Sequence, residues 1–340
     1  MGNPIVGTAN IASRKPRRIA ALDFTKGTLV LIMVLYHWLN YFVRGHDQIY
    51  KYLRFLPTSF TFITGFLISQ VYLSKYEKSG VQIPKRLIVR GVKLMTIAVF
   101  LNLVPSLIHL NALQMRVGEW SLNDFTWAYL TGTRPVAFSV LVPIGYLLIL
   151  CAGLFFLSKY YRNIYHVVSA ALVVCAVACE LRNINAGYLQ ILSIGMLGFS
   201  AGCISIDRIN KLMERSGAIF VVYCLYLAAI TFFVDSFVLQ VLGVSISLLV
   251  LYWMGMRDAE LLGSRRVTIL LGRYSLFAYI AQILILQILR WGFHASGIRM
   301  KASFAAFVLC IACTILSVEA LDRARNRVIT MNKIYTAVFG

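Results

Sequence analysis

One feature limits this chain more than any other. Apolar runs of roughly 18 residues or more follow one another along it, separated mostly by short polar connections. Each run is long enough to cross the hydrocarbon of a bilayer as a helix. Water is absent there, so the backbone must satisfy its own hydrogen bonds, and helices do so within a single segment. The alternative, one water-soluble core, would have to hide too much apolar surface. Hydrophobic residues make up 59% of the 340, against about 45–50% in a soluble domain.

The pattern predicts an all-α polytopic bundle of about ten spans, near 24–43, 55–74, 87–110, 136–158, 164–180, 187–205, 217–235, 237–254, 267–291 and 302–320. The fifth is short, and almost nothing separates the seventh from the eighth. Lys and Arg concentrate in alternate connections, which places both termini in the cytoplasm. The expected organisation is a basic tail over 1–18, one membrane domain over 19–322 and a basic tail over 323–340. The first apolar run is full span length behind Arg14, Lys15, Arg17 and Arg18, the pattern of a signal-anchor. The longest connection, about 111–135, holds Trp120, Trp127 and Tyr129. It reads equally as an interfacial cap or as a surface-lying segment.

The formal charge of +20 fits basic loops meeting anionic membrane lipid. No nucleic-acid-binding motif is present, and nucleic acid is not an expected partner. The seven cysteines lie in or beside apolar spans, including the pair Cys310 and Cys313. They read as small hydrophobes, with no disulfide or metal site expected. No HExxH, GxSxG, P-loop or GxGxxG occurs, so zinc peptidase, serine hydrolase, ATPase and Rossmann readings have no support.

Polar side chains inside a span are costly and mark function. The first span carries Asp23, Lys26 and His37. Lys26 and His37 are eleven residues apart, which returns a helix to within about 20° of the same face and sets them about 16 Å apart in depth. Asp23 falls close to that stripe. A buried imidazole can accept a proton from an attacking hydroxyl or amine; it also serves as a structural bond between helices. Lys26 reads either as a functional cation or as an interfacial anchor that snorkels to the headgroups. In the third span Arg86, Arg90 and Lys93, at i, i+4 and i+7, form a basic stripe preceded by Lys85. Arg273 enters the ninth span from the same side. Such a cluster suits an anion, either the phosphates of a nucleotide-like donor or lipid headgroups. The second span contains Phe62-Ile63-Thr64-Gly65-Phe66-Leu67-Ile68-Ser69-Gln70, where Gly65 permits close approach of a helix or ligand.

In this order the motifs resemble the acyltransferase 3 family of membrane acyltransferases, which includes bacterial O-acetyltransferases of surface polysaccharides. The resemblance rests on Leu22-Asp23 before Lys26-x10-His37, on Phe62 to Ile68, on Lys85, Arg86 and Arg90, and on Leu271-Gly272-Arg273-Tyr274-Ser275-Leu276-Phe277-Ala278-Tyr279. It covers about the first 95 residues well and the ninth span in part. Lys26 stands where arginine is usual, Thr64 where serine is usual, and Gln282 where many members carry histidine. Glucan succinyltransferases and glucosaminide N-acetyltransferases have similar patterns.

The resemblance implies transfer of an acyl group, most simply acetyl, from cytoplasmic acyl-CoA to a hydroxyl of a glycan or lipid-linked sugar. His37 would be the base or a transient acyl carrier. Asp23 would orient Lys26, and Lys26, Arg86, Arg90, Lys93 and Arg273 would hold the donor's phosphates. No metal is implied, and a bacterial inner membrane is the expected location. A transporter or flippase is the second expectation, since ten spans with buried charge suit that class. A non-catalytic scaffold of polysaccharide export is the third.

Overall fold

The computed structural model describes residues 19–43, 47–73, 82–107, 126, 129–130, 137–158, 160–161, 163–214, 217–232, 236–257, 262–295 and 303–339. All regular structure among them is helical. The tail over 1–18 and most of the 111–135 connection, including Trp120 and Trp127, lie outside the described residues.

The helices are α1 (Ala20–Trp38), α2 (Asp47–Leu53), α3 (Phe55–Ile68), α4 (Gln82–Leu107), α5 (Leu141–Ser158), α6 (Ile164–Leu181), α7 (Gly187–Ala201), α8 (Ile206–Glu214), α9 (Gly217–Phe232), α10 (Phe237–Arg257), α11 (Leu262–Arg273), α12 (Ser275–Ala295), α13 (Ser303–Arg327) and α14 (Ile329–Phe339). Single π-helical turns extend α1 over Leu39–Val43 and α3 over Ser69–Leu73.

Seven of the described helical segments are long and apolar enough to cross a membrane. The bent pair α7–α8 makes an eighth if taken as one span. Every one of the ten runs read from the sequence overlaps a helix. The difference in count comes from α4 and α9. The first half of α4 holds Lys85, Arg86, Arg90 and Lys93, and α9 has only 16 residues.

Burial follows position in the bundle. α1, α3, α5, α10 and α12 bury about half of their spans, whereas α6 and α13 bury little. Large apolar side chains on the outer helices are open, among them Phe232 at 84% and Leu181 at 79% exposure. A helix apolar on all sides with few buried residues is what lipid permits and water does not.

Glycine seams hold the interior together. A β-carbon on Gly27 would overlap the Thr268 carbonyl oxygen of α11, and one on Gly272 would overlap the Asp23 carbonyl oxygen of α1. The two backbones therefore touch where α1 crosses α11. Gly65 of α3 meets α7 at the Gly195 carbonyl in the same way, and Gly198 returns the contact at Phe62. Close backbone approach at small residues is how helices associate where no hydrophobic drive exists between them.

Candidate functional site

Two cavities of similar size lie end to end in the bundle. The first, about 230 Å³, is walled by α3, α4, α5, the start of α12 and the end of α14. The second, about 240 Å³, is walled by the C-terminal end of α1, the start of α3, the 137–140 turn and the middle of α12. Tyr279 and Val140 line both. Along α12 the lining passes from Ser275 and Leu276 through Tyr279 to Ile283, one stripe at helical spacing. α3 runs the opposite way, with Pro57 on the second cavity and Thr64, Ile68 and Tyr72 on the first.

The first cavity is the cationic one. Arg90 and Lys93 line it, one helical turn apart on α4. The Arg90 guanidinium donates to the Tyr72 hydroxyl at 2.6 Å, and the π turn after α3 is what carries Tyr72 to that point. Lys93 donates to the Ala337 carbonyl at 2.7 Å. That carbonyl belongs to the last turn of α14, whose oxygens have no helical partner and favour a cation. Val338 and Phe339, beside it, form part of the wall. α14 is held by Tyr335 on Tyr274, by Phe339 on Phe277, and by Arg325 over the Tyr335 ring at 4.0 Å, yet it buries none of its own residues.

The second cavity holds His37. Its ring is partly exposed to that space, while Nε2 is covered and has no hydrogen-bond partner among the described residues. Such an atom costs about 1–3 kcal/mol unless a ligand or water supplies a partner. Three tyrosines surround the imidazole: Tyr36 at 5.3 Å, Tyr279 at 6.0 Å and Tyr41 at 6.5 Å between ring centres. Tyr41 and the exposed Asn40 come from the π turn after α1. Ser139 adds a hydroxyl to the same wall.

The five cations expected to act together are thus divided. Arg90 and Lys93 share a cavity. Lys26 is not on its wall; its ammonium pairs with Asp23 at 2.6 Å, the partnership read from the sequence. That pair sits where the Gly27–Gly272 crossing brings α11 against α1. Arg86 and Arg273 are exposed and line neither cavity. Gly65 admits a helix. Gln70 secures that same seam by donating to the Gly202 and Ile204 carbonyls. Thr64 and Ser275 do reach the first cavity. Gln282 is fully buried one turn beyond Tyr279, and neither polar atom of its amide has a partner among the described residues.

Tyr72, Tyr41, Asn40 and the end of α14 were not legible as site residues. The two π turns place the first three, and a π turn leaves no trace in a hydropathy pattern. Tyr279 stood in the late motif but carried no role until its ring proved common to both cavities. Among the described residues no three His, Cys, Asp or Glu side chains come together as a metal site, and all seven cysteines are free.

Comparison with known proteins adds no relative. No family model, curated protein or solved structure matches the chain.

Proposed function

We propose that the protein is an integral membrane acyltransferase that moves an acyl group, most simply acetyl, from acyl-CoA to a hydroxyl of a glycan or lipid-linked sugar. One observation carries the reading. A deep imidazole borders a cavity, and that cavity shares Tyr279 and Val140 with another that holds two cations. The motif resemblance to membrane O-acetyltransferases points the same way.

In this mechanism Arg90 and Lys93 bind the donor's phosphates, and Lys93 exchanges a carbonyl for an anionic oxygen as it does so. The pantetheine arm runs inward from there. The acceptor enters the His37 cavity, where hydroxyl and amide groups of Tyr36, Tyr41, Asn40 and Ser139 suit a sugar. His37 takes the hydroxyl proton as the oxygen attacks the thioester carbonyl carbon. The tetrahedral intermediate collapses, the carbon–sulfur bond breaks, and the proton passes to the departing thiolate. Lys26, paired to Asp23, stabilises the fold beside the site in this scheme. Arg86 and Arg273 attract anions to the surface. The scheme takes α4 and α9 as spans as well, giving ten crossings with both termini in the cytoplasm of a bacterium.

Labelled acetyl-CoA tests the reading directly. Purified protein in lipid discs should hydrolyse the thioester slowly without acceptor and faster with a sugar acceptor. A transporter would do neither, and the absence of both reactions would reject acyl transfer.

A further inference from the structure

Tyr279 is the point at which the two cavities meet. Its ring packs against His37 on one side, and against Phe60 at 6.2 Å and Phe138 at 6.3 Å on others. It is 5% exposed, and Val140 completes the wall. Four residues of helix carry the lining of α12 from Ser275 to Tyr279, a depth of about 6 Å, and four more reach Ile283 on the far side.

A second observation falls on the same spot. Phe138 adopts φ of 59°. The left-handed region is unfavourable for a bulky aromatic side chain and persists only where the surroundings impose it. Here the strained residue is 2% exposed, stands edge-on to Tyr279 and lies two positions before Val140. Backbone strain of this kind concentrates at clamps and switch points. The wall between the cavities thus consists of one aromatic ring, one valine and a turn held in an unfavourable conformation. The turn itself is fixed, since the Phe138, Ser139 and Val140 carbonyls accept from the Leu141, Val142 and Ile144 N–H groups and the Asn102 amide donates to the Ala137 carbonyl. The ring and the valine are therefore the parts of the wall held by side-chain packing alone.

We infer that the Tyr279 ring, with Val140, is a movable partition that controls passage between the Arg90–Lys93 cavity and the His37 cavity, and so sets when and with what bulk a donor's acyl arm reaches the imidazole. The acyl arm rests on the acyl-transfer reading; the partition itself does not. In its closed position the ring keeps water in the His37 cavity away from a bound thioester. When it swings aside, the two cavities become one passage. Tyr279 is a positioning residue in this scheme.

Thiol accessibility tests the partition without requiring any reaction. Ser139→Cys introduces a thiol that faces the His37 cavity only, and peptide mass spectrometry separates it from the native cysteines. A membrane-impermeant anionic methanethiosulfonate is applied to vesicles that present the Arg90 face. Labelling of residue 139 should be slow in the Ser139→Cys protein and in Ser139→Cys with Tyr279→Phe, which keeps the ring. It should rise about tenfold when Tyr279→Ala removes the ring, because that substitution deletes the ring atoms and opens the space they filled. Equal labelling of all three, with size-exclusion profiles unchanged, overturns the partition. If Tyr279→Ala does not assemble, Tyr279→Leu replaces it under the same criterion.

Labelled acetyl-CoA supplies the second arm. Tyr279→Ala should raise thioester hydrolysis relative to transfer, and Tyr279→Phe should not. Fast labelling with no acyl chemistry in any variant would keep the partition and reject the donor. Normal transfer with unchanged labelling would do the reverse.

Discussion

The two cavities are close in volume and share a wall, yet they solve opposite problems. The first is lined by charge, and each charge already has a partner: Arg90 has the Tyr72 hydroxyl and Lys93 the Ala337 carbonyl. Among the described residues the second has no charged side chain on its wall, and its His37 Nε2 has no partner. Partnered cations can wait for an anion without strain, since one acceptor is simply traded for another. An unpartnered nitrogen in a low-dielectric interior is a costly resting state. On the proposed acyl-transfer reading, the difference puts donor binding in the first cavity and the chemistry in the second.

The sharpest way to break that division is His37→Ala. It should lower the transfer rate by on the order of 100- to 10,000-fold, the usual worth of a positioned acid–base group. Donor affinity, read by equilibrium binding, should stay the same. A fall in affinity with an unchanged rate would reverse the two assignments. Arg90→Gln should do the opposite. Losing one charge-assisted contact costs about 1.5–3 kcal/mol, so donor binding should weaken by roughly ten- to a hundredfold while the rate at saturating donor holds. Lipid-headgroup binding in place of donor binding would leave donor affinity untouched.

Gly272→Val probes a site on neither cavity. Its β-carbon alone would overlap the Asp23 carbonyl oxygen, so α1 and α11 must separate, at a cost above the roughly 1–3 kcal/mol of ordinary overpacking. Thermal unfolding in detergent should move down while donor affinity in the surviving protein stays normal. Tyr72→Phe is the smallest change. It removes from Arg90 one acceptor that the donor's phosphate would displace anyway, and should shift donor affinity only a few-fold without touching the rate.

The helical bundle was legible because bilayer thickness imposes a length that hydropathy reports directly. His37, Arg90 and Lys93 were legible for the same reason, as polar groups at positions lipid should reject. The expected five-cation cluster was not a good guide. Spacing along one helix says that Arg86, Arg90 and Lys93 share a face, but not where the next helix stops covering it. Arg86 lies beyond that cover and Lys93 lies under α14. The Phe62–Gln70 run, whose Gly65 read as admitting either a helix or a ligand, is largely a helix seam, since glycine serves both equally. The C-terminal residues 323–340 were read as a basic tail. Among the described ones, 323–327 continue α13 and Ile329–Phe339 form α14, which aromatic pairing of Tyr335 and Phe339 sets against α12 and its approach, a contact that charge counting does not reveal.

The π turns at Leu39–Val43 and Ser69–Leu73 have a genetic consequence. A π turn is an α-helix with one extra residue threaded into it. Removing one codon of either stretch ahead of its tyrosine, such as Asn40 or Val71, would let the helix re-form with little loss of span, and would swing Tyr41 or Tyr72 about 100° around the axis. Each cavity would then lose a tyrosine although the tyrosine remains in the chain.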